Sequence, residues 1–124
     1  MSVLFITNDL MAGANLRGAA QAVQVPLTLT ADAEAALARC NEEVVRLIIL
    51  DLSLPGLEPR ELIPRLRSAA RPPGAIVAFA PHVHQQRLDA AAEAGCDEVL
   101  TRGQFHAQAN ALIARYAQQV QTRQ

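Results

Sequence analysis

Four consecutive aliphatic residues, Leu47-Ile48-Ile49-Leu50, run directly into Asp51, and no other segment constrains the fold of this 124-residue chain as strongly. The run is too short for a buried helix and is apolar on both faces. That is the pattern of an interior strand in a parallel sheet covered on two sides. The turn signal Pro55-Gly56 follows it. Val3 to Ile6 is a second such run, closed by the turn and cap formers Thr7-Asn8-Asp9. Ala75 to Phe79 is a third, entered through the connector Pro72-Pro73-Gly74. Val25 to Thr30 alternates with period two and carries Pro26, which suits an edge strand, and Glu98 to Thr101 is a short fifth strand.

Stretches of helical period separate these strands. Leu10 to Gln24 has apolar positions at 10, 16, 20 and 23, although Gly13 and Gly18 each cost about 1 kcal/mol against Ala. Asp32 is placed to cap a helix whose face is Ala33, Ala36, Leu37 and Cys40. Leu62, Ile63 and Leu66 mark a third helix, in which Pro64 removes a backbone bond and predicts a kink or a late start. Leu88, Ala91 and Ala92 mark a fourth, stopped by Gly95. Phe105, Ala109, Leu112, Ile113, Tyr116 and Val120 share one face of the last helix, and residues 118–124 read as a fraying polar tail. Strict alternation of five strands and five helices predicts one α/β domain over residues 1–124, with right-handed crossovers and helices on both faces of a parallel sheet. Ligand sites in such sheets lie beyond the carboxyl ends of the strands, which makes Thr7, Asn8, Asp9, Asp51, Ala80 and Arg102 the candidates.

Composition narrows the functional classes. Eleven basic residues, all Arg, balance twelve acids, so no general attraction to nucleic acid or an acidic membrane is implied. Three Phe and one Tyr offer little surface for stacking bases. No apolar run approaches the ~18 residues of a membrane span, and no basic patch with a long apolar stretch opens the chain. Cys40 and Cys96 form no CxxC pair and read as buried free thiols of a reducing compartment, so a cytoplasmic location is expected. Nucleotide-binding glycine motifs and the GxSxG elbow are absent from the sequence.

The segment Leu47-Ile48-Ile49-Leu50-Asp51-Leu52-Ser53-Leu54-Pro55-Gly56 resembles the third strand and following turn of response-regulator receiver domains. Ala91 to Leu100 resembles that family's approach to its fifth strand. The resemblance covers essentially the whole chain. It implies a flavodoxin-like, doubly wound sheet in the order 2-1-3-4-5, a signalling role in a two-component system or phosphorelay rather than enzymatic turnover, and Asp51 as the phospho-acceptor position. The implied partners are a sensor kinase or another signalling protein. A homodimer through the face of the fourth helix, fifth strand and fifth helix is also implied, where Arg87, Glu98, Arg115 and Tyr116 fall.

Departures from the family pattern carry the functional content. The two acids that receivers place after the first strand, to hold a magnesium ion with the acceptor aspartate, fall on Thr7 and Asn8, and the metal-binding carbonyl falls on Ser53. Asp9 could substitute if the turn shifts by one residue, or it could cap the first helix. The metal positions are therefore Asn8, Asp9, Asp51 and Ser53, with a weak or absent magnesium site. At an effective dielectric of roughly 20, two unit charges ~4 Å apart interact by about 4 kcal/mol before desolvation, so losing two carboxylates weakens the site severely. The phosphate-binding hydroxyl position after the fourth strand falls on Ala80, and the switch aromatic on Val99. The family's Lys falls on Arg102, which without a metal is expected to clamp Asp51 in a bidentate pair. A degenerate receiver working through protein binding is the leading reading. The alternatives are an ordinary phospho-receiver accepting phosphate from a histidine kinase, and a small metal-binding protein or enzyme using His82, His84 and Asp51, with Cys96 a further candidate ligand.

Overall fold

In a computed structural model, residues 2–122 are described, with side chains described through Tyr116. The elements alternate as β1 (Ser2–Ile6), α1 (Leu10–Ala22), β2 (Leu27–Thr30), α2 (Ala33–Glu42), β3 (Val45–Asp51), α3 (Pro59–Arg67), β4 (Ala75–Ala80), α4 (Gln85–Ala94), β5 (Glu98–Thr101) and α5 (Arg102–Thr122). The strands are parallel throughout, in the order β2-β1-β3-β4-β5. β3 is therefore the middle strand, with Ile48 paired to Leu4 on one side and to Ile76 on the other.

Period-two side-chain alternation divides the core in two. Leu4, Ile6, Ile48, Leu50, Ile76 and Ala78 face α2, α3 and α4, where Leu37, Cys40, Leu62, Ile63, Leu66, Leu88 and Ala91 meet them. Val3, Phe5, Leu47, Ile49, Val77 and Phe79 face the opposite way, onto Ala12, Leu16 and Ala20 of α1 and Phe105, Leu112 and Ile113 of α5. On that side the Phe79 and Phe105 rings stack in parallel at 4.1 Å, with Phe5 tilted against both.

Several boundaries differ from the sequence expectation. β3 starts at Val45, because Arg46 is half-buried within the strand and does not interrupt it. α3 begins at Pro59, a residue suited to the first turn, so Pro64 lies inside the helix with its ring exposed. Gly13 is buried: a Cβ there would stand 2.7 Å from Leu29 Cδ1, so its cost to helix propensity secures close packing of α1 on β2. Nothing in the structure explains the glycine at position 18. Gly95 ends α4 in the left-handed region at φ 106°. α5 starts at Arg102, ahead of Phe105, because Thr101 and Gln104 form a reciprocal capping box: Gln104 N–H donates to Thr101 Oγ1 and Thr101 N–H to Gln104 Oε1. The helix runs on through Thr122, so the backbone from 118 to 122 is helical rather than a frayed tail. The side chain of Val120, Gln124 and the rest of that expected tail lie outside the described residues. Among the described residues no helix is long and apolar enough to cross a membrane.

Candidate functional site

The carboxyl edge of the sheet gathers Thr7 from the end of β1, Asp51 from β3, Ala80 from β4 and Arg102 from the start of α5. Asp51 is 2% exposed, yet both its oxygens are satisfied. Thr7 Oγ1–H donates to Oδ2 at 2.7 Å and the Ser53 N–H to Oδ1 at 3.0 Å. Thr7 is held by the sheet, its N–H donating to the Thr30 carbonyl at 2.9 Å, so its hydroxyl is aimed by the β1–β2 ladder. The same hydroxyl accepts the Asp9 N–H at 3.0 Å.

Asp9 caps α1. Its Oδ1 accepts N–H groups from Met11 and Ala12 at 3.0 and 3.1 Å, and its Oδ2 pairs with Arg102 at 2.7 Å. The amide of Ala12 first, and the Arg102 guanidinium with it, hold this carboxyl below its ordinary value. The expected Arg102–Asp51 clamp is thereby corrected. The guanidinium serves Asp9, because that carboxylate is fixed at the helix N-terminus while Asp51 already has two neutral donors.

Four of the residues singled out from the sequence thus form one linked network: Asp51, Thr7, Asp9 and Arg102, with the Ser53 amide at its edge. Others lie apart. Asn8 is exposed, and Ser53 Oγ is buried with no hydrogen-bond partner. Ala80 is fully buried in the α2–α4 side of the core, and Val99 packs half-buried against it. His82 and His84 stand exposed in the β4–α4 loop, His84 at the N-terminus of α4 without a side-chain cap bond. Among the described residues no group of three or more His, Cys, Asp or Glu could hold a metal ion, which removes the proposed His82/His84/Asp51 metal centre. Cys96 is half-buried rather than buried, and desolvation pushes its thiol up to about 12.

On the opposite flank Glu98 accepts hydrogen bonds from Arg115 and, at 2.8 Å, from the Tyr116 hydroxyl. Burial first, and Glu98 second, push that phenol up to about 12. Tyr116 is 7% exposed, so it supplies little contact area to a partner. Arg87 turns away from this cluster, its Nη1 donating to the Leu52 carbonyl at 2.6 Å and bracing the loop after Asp51. That bracing contact was not legible in the sequence, since no pattern links an Arg in α4 to a backbone oxygen after β3. The Thr101-x-x-Gln104 box was legible, as a capping signature.

Magnesium requires near-octahedral oxygen ligands and uncompensated negative charge. Here Asp9 Oδ1 has two N–H donors, its charge is neutralised by Arg102, and Asp51 faces a hydroxyl proton on one oxygen and an amide on the other. The donor set fits the ion poorly.

A parallel sheet in this order is the flavodoxin-like fold, and response-regulator receiver domains are among the proteins that share it. Among solved structures with that fold, a response regulator from Hahella chejuensis matches with a TM-score of 0.79 at 21% identity, over 93% of this chain and 93% of that one. The receiver domain of a Pseudomonas aeruginosa sensor histidine kinase, with a magnesium ion coordinated in its active-site cleft, matches at 0.75 and 18% identity, over 94% of this chain and 96% of that one. A Saccharomyces cerevisiae co-crystal structure, of a histidine phosphotransfer signalling protein with the receiver domain of its downstream response regulator, matches at 0.68 and 23% identity, over 82% and 78%. No family model and no curated protein matches the sequence.

Proposed function

We propose that the chain is a receiver-like signalling module of a two-component or phosphorelay system, acting by binding protein partners in the cytoplasm, with phosphorylation of Asp51 impaired and no substrate turned over. The observation that carries this reading is the engagement of both Asp51 oxygens by Thr7 and Ser53 in a site whose second carboxylate is neutralised. Phosphoryl transfer to a carboxylate needs cationic groups placed to take up charge on the transferring oxygens. Arg102 is committed to Asp9, and Ala80 offers no hydroxyl.

Partner binding is supported by the rim of the same edge. Leu10 and Met11 are 82% and 78% exposed at the start of α1, and Val83 is 71% exposed in the β4–α4 loop. Exposed aliphatic side chains beside a buried carboxylate suit a signalling protein such as a sensor kinase or phosphotransfer protein, the kind of partner held by the yeast receiver domain. A homodimer through α4, β5 and α5 draws less support, since Glu98, Arg115 and Tyr116 are engaged with one another.

Incubation with a small phosphodonor and Mg²⁺, followed by intact-mass spectrometry, tests the reading. The expected spectrum shows no adduct beyond that of Asp51→Asn. Rapid addition of one phosphoryl group that Asp51→Asn lacks makes the chain an ordinary phospho-receiver.

A further inference from the structure

We infer that this chain holds Asp51 in a metal-independent latch, in which the Thr7 hydroxyl engages one carboxylate oxygen in competition with any divalent cation and Arg102 withholds Asp9 from the site. The inference rests on the receiver-like reading and adds how its central carboxylate is governed. Three consecutive contacts join four elements: Arg102 of α5 to Asp9 at 2.7 Å, the Asp9 N–H of the α1 cap to Thr7 Oγ1 at 3.0 Å, and Thr7 Oγ1–H at the end of β1 to Asp51 of β3 at 2.7 Å.

The polarity of this chain is fixed at every step. Thr7 has one proton, and donating it to Asp51 leaves lone pairs that accept the Asp9 amide. A cation at Asp51 Oδ2 would have to share that oxygen with the Thr7 proton. Asp9 cannot turn to help without giving up the Met11 and Ala12 amides and the Arg102 ion pair. Charge tells the same way: Asp9 and Arg102 cancel, so a dication would find one net negative charge where two acids would offer a stronger field. The first turns of α1 and α5 are therefore tied to the middle strand whether or not magnesium is present. Thr7 is the side chain through which Asp9 and Asp51 are joined.

Calorimetric titration of the full chain with Mg²⁺, beside amide NMR with Mn²⁺ as a paramagnetic probe, tests this. The wild type and Thr7→Ser, which keeps the hydroxyl, are expected to show no saturable Mg²⁺ binding and no selective Mn²⁺ broadening at the amides of Asp9, Asp51 and Ser53. Thr7→Asp is expected to bind Mg²⁺ at least about tenfold more tightly, through the added charge. Wild-type binding as tight as that of Thr7→Asp overturns the inference, as does a folded Thr7→Asp with no gain. Should Thr7→Asp not fold, the wild-type Mn²⁺ spectrum decides: selective broadening at those amides overturns the latch and its absence supports it. A wild type that takes up phosphate without binding metal would sink the proposed impairment and leave the latch standing. Tight metal binding without phosphorylation would do the reverse.

Discussion

Replacing Thr7 by Val keeps the shape of a β-branched side chain, 6% exposed, and deletes only its hydroxyl. Two bonds go with it: the donor to Asp51 Oδ2 at 2.7 Å and the acceptor of the Asp9 amide at 3.0 Å. A hydrogen bond to a charged group contributes about 1.5–3 kcal/mol, and a neutral one about 1 kcal/mol. The larger share comes from leaving a buried carboxylate oxygen without its donor. A loss of about 2–4 kcal/mol is expected, against a total stability on the order of 5–15 kcal/mol for a domain. For a chain of this size that corresponds to a fall in Tm of very roughly 6–16 °C. Urea unfolding followed by far-UV circular dichroism measures it, with Thr7→Ser, which forfeits only a methyl group of about 0.8 kcal/mol, as the comparison. In an Asp51→Ala background the Val substitution should cost less than about 1 kcal/mol, since the charged acceptor is already gone. A Val variant within about 0.5 kcal/mol of wild type, or a Ser variant equally damaged, would refute the placement of this hydroxyl at the centre of the site's energetics.

Two further outcomes are expected. Asp9 is depressed in the folded chain, so its stabilisation is fully present above the ordinary carboxylate value of about 3.9 and is lost as pH falls through its lower folded value. Arg102→Ala should raise the Asp9 titration seen by NMR only part of the way, because the Ala12 amide is the larger cause, and should shorten the acid limb of the stability profile. Cys40 is fully buried and the Cys96 thiol is pushed up to about 12, so alkylating reagents should label neither at neutral pH in the folded chain and both in urea. Fast native labelling at Cys96 would contradict its packing against the α3–α4 side of the core.

Much of the scaffold was written in local pattern. Val3–Ile6, Leu47–Leu50 and Ala75–Phe79 are apolar on both faces because α1 and α5 cover one side and α2, α3 and α4 the other, and an Asp that closes the middle run must arrive at the carboxyl edge. The choice of partner for Arg102 was not written there. Asp9 and Asp51 both lie within a plausible reach in sequence terms, and what decides between them is the turn after β1, where Thr7 turns its hydroxyl onto Asp51 and Asp9 closes the end of α1. Such selection depends on backbone direction over three residues, a scale that hydrophobic periodicity does not report. The half-buried Arg46 hid the start of β3 for a related reason, since a polar residue inside a strand breaks the apolar run without breaking the ladder.

Tyr116 is the chain's one tyrosine, and there is no tryptophan. Tyrosine emission from the folded chain therefore originates at one address, a ring set beneath the Arg115 guanidinium with its hydroxyl on the Glu98 carboxylate of β5. A carboxylate accepting from an excited phenol draws off its proton and dims it, so emission should brighten whenever α5 lifts from β5. The other end of that helix carries Arg102 and, through it, Asp9. An event at the sheet edge becomes visible in the light of Tyr116 only if α5 transmits it along its length. The unlabelled chain is thus its own gauge of how stiffly its last helix couples the two ends.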